Sequence, residues 1–322
     1  MADEKPARTF QDLSDSEIER LVDSLRSLQE GELGVDMLVA CGPRAIPPLR
    51  RFLLQGSPST VYLPRQRTVR ALAGLGAKDV LIEFLRRSRT IADAELRFAE
   101  EGVLSTAARE LAKWHTDDVF EALLLAGRMH LLPGIAEALG EFPRIEAVPL
   151  LIAALGDDFS REPASTSLAK IAAVARPFLI DAARTPDPSR RQETPSSLRR
   201  RASALRVLLA AGVPVMDWPR LRALGEDSDP EIAVTTRRIG LAFGPAEERT
   251  AHLQRLILLL PHCNWLLQLE IEEELLAHHD LARPLAQAAL HREKLLGMGA
   301  ISAVGILDKV ARSSTPGEQR SG

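Results

Sequence analysis

"RIEAVPLLIAALGDD", residues 144–158, decides how this chain is read. Val148, Leu151, Ile152 and Leu155 fall at i, i+3, i+4 and i+7, one apolar face of an α-helix. Pro149 is tolerated there because a first-turn N–H has no partner inside the helix. Gly156 supplies the stop. "RAIPPLRRFLL", residues 44–54, is a rougher copy: Ala45, Ile46, Pro47, Leu49 and Leu53 align with Ala147, Val148, Pro149, Leu151 and Leu155.

Working outward, "AKDVLIEFLRR" (77–87) and "TDDVFEALLLAG" (116–127) carry the same stripe without the proline. Asp79 and Asp117 or Asp118 stand where an N-cap is expected. "ARPFLIDAAR" (175–184) is a fifth version. Each follows a second helical stretch that ends in a short turn: residues 65–77, 104–115, 132–142 and 165–175. Ala71, Ala108, Ala138 and Ala172 recur on one face, where small side chains let helices approach. The period is roughly 30 to 40 residues, in the range of helix-pair repeats. One such hairpin cannot bury its apolar face alone, but stacked neighbours can.

After residue 200 the period blurs, yet helices continue. "DSDPEIAVTTRRIGLAFG" (227–244) has Asp229 as a cap and Pro230 at the first helical position. Three segments read as irregular. Residues 1–12 and 312–322 are polar, flexible tails. Residues 185–197 form a long loop rich in Pro, Ser and charge, a docking or phosphorylation segment if it is not a plain insertion. The remainder, 13–311, reads as a single helical array.

The unit "IAEALGEF" followed by "RIEAVPLLIAALGDD" resembles the HEAT repeat family, particularly its short bacterial form. Ala138, Leu139 and Gly140 match the end of its first helix. Ala147, Val148, Pro149, Leu151, Leu155 and Asp157 match its second helix and acidic stop. The usual Asp-x-x-Val-Arg opening is mostly missing. The resemblance implies an all-α protein, a right-handed α-α solenoid of about seven or eight stacked hairpins. It also implies a non-catalytic scaffold that binds another protein along its concave face, which the second helix of each pair lines. An alternative resemblance, at fold level only, is to HEAT-like alkylpurine DNA glycosylases, with Trp114 and Asp117 or Asp118 as a loose echo of their aromatic and acidic site. Phycobilin lyases share the short repeat, but nothing beyond the repeat matches.

Composition agrees with helices. Aromatic residues make up only 4% of the chain, with one Tyr, while large sheets favour aromatic and β-branched residues. The net charge of −3 disfavours nucleic acid as the partner, although residues 184–201 are locally basic. Cys41 and Cys263 form no paired framework, which fits free thiols in a reducing compartment. No apolar run reaches the ~18 residues of a membrane span, and the start lacks a secretory core. The expectation is a cytoplasmic protein with no membrane partner.

Candidate sites follow from residue chemistry. His252, His262, Cys263, His278 and His279 crowd one region but show no metal-ligand spacing. The iron-binding HEAT-type hydroxylases repeat a His-Glu dipeptide, and none occurs here. Glu270, Glu273 and Glu274 share a helix face, which reads as solvated. With no nucleophile elbow, phosphate loop or dinucleotide fingerprint, neither an enzyme nor a cofactor is expected. The candidate contact surface is a charged ridge: Arg50 and Arg51 on one second helix, and Glu83, Arg86 and Arg87 on the next. Such a ridge can hold an acidic protein segment or a phosphate backbone. Of the three tryptophans, Trp218 and Trp265 lie near turns, and Trp218 joins the candidate contacts, against the plainer expectation of core packing.

Overall fold

A computed structural model describes Phe10 and residues 13–87, 91–187, 193–296 and 301–313. Among the described residues all regular structure is helical and no strand occurs. Contacts gather the chain into two units. The first is Met1–Ala154 with Phe159–Ile171, and the second is Leu155–Asp158 with Ala172–Gly322.

The first unit holds α1 (Asp15–Ser24), α2 (Gly31–Ala40), α3 (Ile46–Gln55), α4 (Leu63–Gly74) and α5 (Lys78–Arg86). It continues with α6 (Ala94–Ala112), α7 (Asp117–Met129), α8 (Pro133–Leu139), α9 (Val148–Ala154) and α10 (Arg161–Lys170). The even helices touch in sequence, α2 to α4 to α6 to α8 to α10, and form one row. The odd helices α1, α3, α5 and α7 form a second row, and each helix also packs on its chain neighbour. The apolar stripe of each helix is thereby covered twice. Leu49, Leu53, Leu72, Leu81, Leu123 and Leu151 are all fully buried.

Small residues make the even row tight. A Cβ added at Gly134 would lie 2.3 Å from the Ser105 carbonyl oxygen on α6, and one at Gly140 2.5 Å from the Ser167 Cβ on α10. Ser167 Oγ donates to the Ala136 carbonyl at 2.9 Å, so the close approach is also hydrogen-bonded. Ala71, Ala108 and Ala138 are buried as the small-residue pattern requires.

The two aligned copies share a local structure. A 3₁₀ turn, Gly42–Ala45 or Ile145–Ala147, leads into α3 or α9, with Ala45 and Ala147 fully buried at the junction. The arginine that opens the 144–158 stretch has its own task. The Arg144 guanidinium lies over the Phe120 ring at 4.0 Å and donates to Asp117 Oδ1 at 2.9 Å, pinning the turn to the start of α7. Arg44 does the same on α1, donating to Asp15 Oδ1 at 2.6 Å.

The second unit holds α11 (Ala172–Arg184), α12 (Pro195–Ala211), α13 (Trp218–Leu221) and α14 (Pro230–Phe243). It ends with α15 (Arg249–Leu259), α16 (Trp265–Ala277), α17 (His279–Leu296) and α18 (Ile301–Arg312). The contacts α12 to α14 to α16 to α18, and α15 to α17, repeat the next-but-one pattern. Leu253, Leu256, Ile271 and Leu275 lie in its core.

Several local expectations change. Asp79 and Asp117 or Asp118 are not N-caps: Ala77 caps α5 and Thr116 caps α7, neither through a side-chain bond. The acids sit one or two residues further in, within the first turn, where the helix dipole favours them. Asp229 does cap α14, accepting from the Glu231 and Ile232 N–H groups. Ala172 does not lie on a first helix. That helix stops at Lys170, and Ala172 opens α11, which carries Pro177 in its interior. The irregular loop is shorter than 185–197, because Thr194 caps α12 and Pro195 takes its first position. Residues 188–192 lie outside the described residues, as do nearly all of 1–12 and 314–322, on which the expectation of flexible tails falls. Among the described residues no helix is long and apolar enough to cross a membrane.

Candidate functional site

The charged ridge assembles in the odd row of the first unit. Arg50 on α3 donates to Glu83 Oε2 on α5 at 2.7 Å, and Arg87 donates to Glu83 Oε1 at 2.7 Å. Arg51 reaches back to Glu19 on α1 at 3.1 Å. Lys78 Nζ reaches forward to Asp118 Oδ2 on α7 at 2.8 Å. The pairs therefore step from α1 to α7. The Arg50 guanidinium, then that of Arg87, holds the Glu83 carboxyl below the usual carboxylate range. The Lys78 ammonium, helped by Thr116, holds Asp118 down to about 2. Arg87 also donates to the Leu54 carbonyl at 2.8 Å, tying the ends of α3 and α5 together.

Of the residues singled out in the sequence, Arg50, Glu83 and Arg87 are brought into direct contact. Arg51 turns the other way, toward α1. Arg86 is exposed, lines a shallow groove with Asp79 and Asp118, and makes no ion pair among the described residues. The surface is thus an alternating lattice rather than a basic groove. Pairs this exposed contribute at most about 1 kcal/mol each.

Trp218 is not a surface contact. It lies in the second unit and is only 2% exposed. Its Nε1–H donates to Glu248 Oε2 at 2.9 Å, and its ring stands edge-on to His252 at 5.3 Å. The reason is register: the 3₁₀ turn Val215–Asp217 leads into Trp218-Pro219-Arg220-Leu221, so Trp218 takes the place of Val148 and Leu221 that of Leu151. Trp265 is 67% exposed, and Trp114 is half-buried.

Beside the ridge is a feature that no motif announced. A cavity of about 200 Å³ opens where the ends of α5 and α7 meet α6 and the start of α8. Phe84, Leu85, Leu104, Leu132 and Ile135 give it apolar walls, and Arg87, Arg97 and His130 supply polar lining. Glu100 beneath it is buried and accepts from Arg65 Nη2 at 2.8 Å, while Arg65 also donates to the Gly56 carbonyl at 3.1 Å. Glu101 lies 3.4 Å from His130 Nδ1. Nothing in the sequence separates Arg65 or Glu100 from ordinary surface charges. Their burial follows from the contact of α4 with α6.

The remaining candidates are structural. Glu270 and Glu274 accept from Arg238 at 2.6 and 2.9 Å, and Glu270 also accepts from Arg206 at 2.9 Å, whereas Glu273 points to solvent. His252 is buried and accepts from Arg237 Nη1 at 3.2 Å through Nδ1. Burial pushes the Cys263 thiol up to about 11. Among the described residues no group of three or more His, Cys, Asp or Glu is placed to hold a metal ion. Sequence reading also passed over Arg201, which is buried and clamps Glu193 at 2.7 Å, Asp227 at 2.5 Å and the Ala183 carbonyl at 2.9 Å. Comparison with known proteins adds nothing to this geometry: no family model matches the chain, and no curated protein matches it.

Proposed function

We propose that the chain is a non-catalytic interaction scaffold of the HEAT-like kind, its hairpins stacked in each unit as a right-handed α-α solenoid. The next-but-one helix contacts and the tight glycine and alanine positions support the stacking. The partner is another protein, bound along the concave face, which in this reading the odd row lines in the first unit. One observation carries this reading: Arg50, Glu83 and Arg87 form a continuous ion-pair chain across two helices, and beside it Arg86 makes no ion pair among the described residues. Side chains held this way lose little freedom on binding, so their polar groups are offered preorganised. Two buried free cysteines support a reducing, cytoplasmic location.

Nucleic-acid binding is the weaker alternative. Phosphate recognition depends on cations that exchange counterions for phosphates, and Arg50, Arg51 and Arg87 are each already engaged by a carboxylate. The test is affinity purification of the wild-type chain against one carrying Arg50, Arg51, Arg86 and Arg87 all changed to Glu, followed by titration of each purified candidate. The expected result is at least one partner whose affinity falls tenfold or more in the variant. Equal affinities for every partner overturn the reading. Salt-sensitive retention of the wild type on a DNA column favours the alternative.

A further inference from the structure

We infer that the cavity between the ends of α5 and α7 is an anchor pocket for one bulky apolar side chain of an acidic partner segment. The inference rests on the scaffold reading above and names the chemistry of its partner. Size comes first. A volume of about 200 Å³ is below the ~300–1,000 Å³ of ordinary small-molecule pockets. It suits a single Leu, Phe or Trp side chain, the kind of anchor that dominates binding when it fills a desolvated pocket.

The walls agree. Phe84, Leu104 and Ile135 offer only carbon, and Met129, 55% exposed at the rim, is a flexible side chain that adapts to what it covers. Phe98, the residue after Arg97 on α6, is a second exposed apolar side chain, 69% exposed. An exposed apolar rim around a pocket marks an interaction surface more often than a solvated one.

Charge decides the partner's sign. Among the polar groups in the lining, Glu100 is held by Arg65, Arg87 by Glu83 and the Leu54 carbonyl, and Glu101 lies against His130. Arg97 is exposed, and its guanidinium makes no hydrogen bond or ion pair among the described residues. A free guanidinium at the rim of an apolar pocket recognises a carboxylate bidentately. The segment that fits therefore carries an Asp or Glu within a residue or two of its apolar anchor.

The experiment is selection of a random twelve-residue peptide display library on the full chain, with counter-selection on Met129→Trp, which fills the rim. The expected winners carry one large apolar residue beside Asp or Glu. A synthetic winner should bind at least tenfold more weakly to both Met129→Trp and Arg97→Glu. Both positions are exposed, so the melting temperatures should match the wild type. Basic winners, or winners indifferent to both changes, overturn the inference. If octanoate alone binds as tightly as the best peptide and shows the same two sensitivities, the cavity is a small-carboxylate site and the inference is overturned. Winners that are lost only in the Arg50 and Arg51 to Glu variant leave the scaffold reading standing and remove the pocket. No selected peptide from any arm removes both.

Discussion

The helix entry at Val148 and the entry at Trp218 are built alike and filled differently. Each is a 3₁₀ turn running into a helix with proline at its second position and a fully buried leucine at its fourth. Val148 is fully buried, and its side chain carries no polar atom to satisfy. Trp218 brings an indole N–H into the core, and the second unit answers with Glu248 as acceptor and His252 as an edge-on neighbour. Buried polar atoms must be satisfied, so a larger repeat residue recruits its own network. A repeat position is therefore defined by what it buries, not by which residue fills it.

The largest expected effect breaks the simpler copy. Leu151→Asp places a charge among α9 and its neighbours, where Leu151 is fully buried. An unpaired buried charge costs several kcal/mol. Loss of the cooperative melt of the first unit, read by circular dichroism, is the expected outcome; an unchanged melt would falsify the assignment of that face. Next, Trp218→Ala should destabilise by about 3–5 kcal/mol, against about 2 kcal/mol for Val148→Ala. Chemical denaturation of the two variants compares the entries directly, and equal losses would erase the difference between them.

Glu100→Gln should cost about 3 kcal/mol, because it removes the carboxylate charge that faces the buried Arg65 guanidinium. Glu83→Gln on the exposed ridge should cost less than about 1 kcal/mol. Denaturant midpoints of these two variants measure how far burial, rather than pairing, sets the strength of an ion pair.

A pH effect sharpens the second unit's side of the comparison. Burial, then the charge of Arg237, pushes the His252 pKa below its ordinary 6.5. Below that value the unfolded chain takes up a proton that the folded chain still refuses, so stability falls as the pH drops from about 6.5 toward the folded value. The urea midpoint should decline between pH 7 and pH 5, and His252→Gln should flatten that decline. Smallest of all is Arg86→Glu, expected to shift stability by less than about 0.5 kcal/mol while weakening partner binding in a titration.

Much of the fold was legible because periodicity reports burial directly. The stripe at Val148, Leu151, Ile152 and Leu155 proved to be helix α9, and its copies at 44–54, 77–87 and 116–127 proved to be helices of the odd row. Caps were less legible. An Asp near a helix start favours the first turn as well as the cap, so Asp79 and Asp117 fell within the first turn rather than at the cap. Trp218 was misplaced because the Trp-Pro-x-Leu form of the entry was not recognised as a repeat. The ridge was half legible: which helix carries Arg50, Glu83 and Arg87 follows from the stripe, but that Glu83 neutralises both arginines does not.

The sequence by itself determined that this protein is helical and which side of its striped helices must be covered, because those follow from local spacing and the cost of leaving carbon in water. Only the tertiary structure decided which charges meet, which tryptophan is hidden, and where a cavity remains at the ends of α5 and α7. These depend on side chains some thirty residues apart, such as Arg50 with Glu83 and Arg65 with Glu100, whose meeting is set by how closely one hairpin seats against the next.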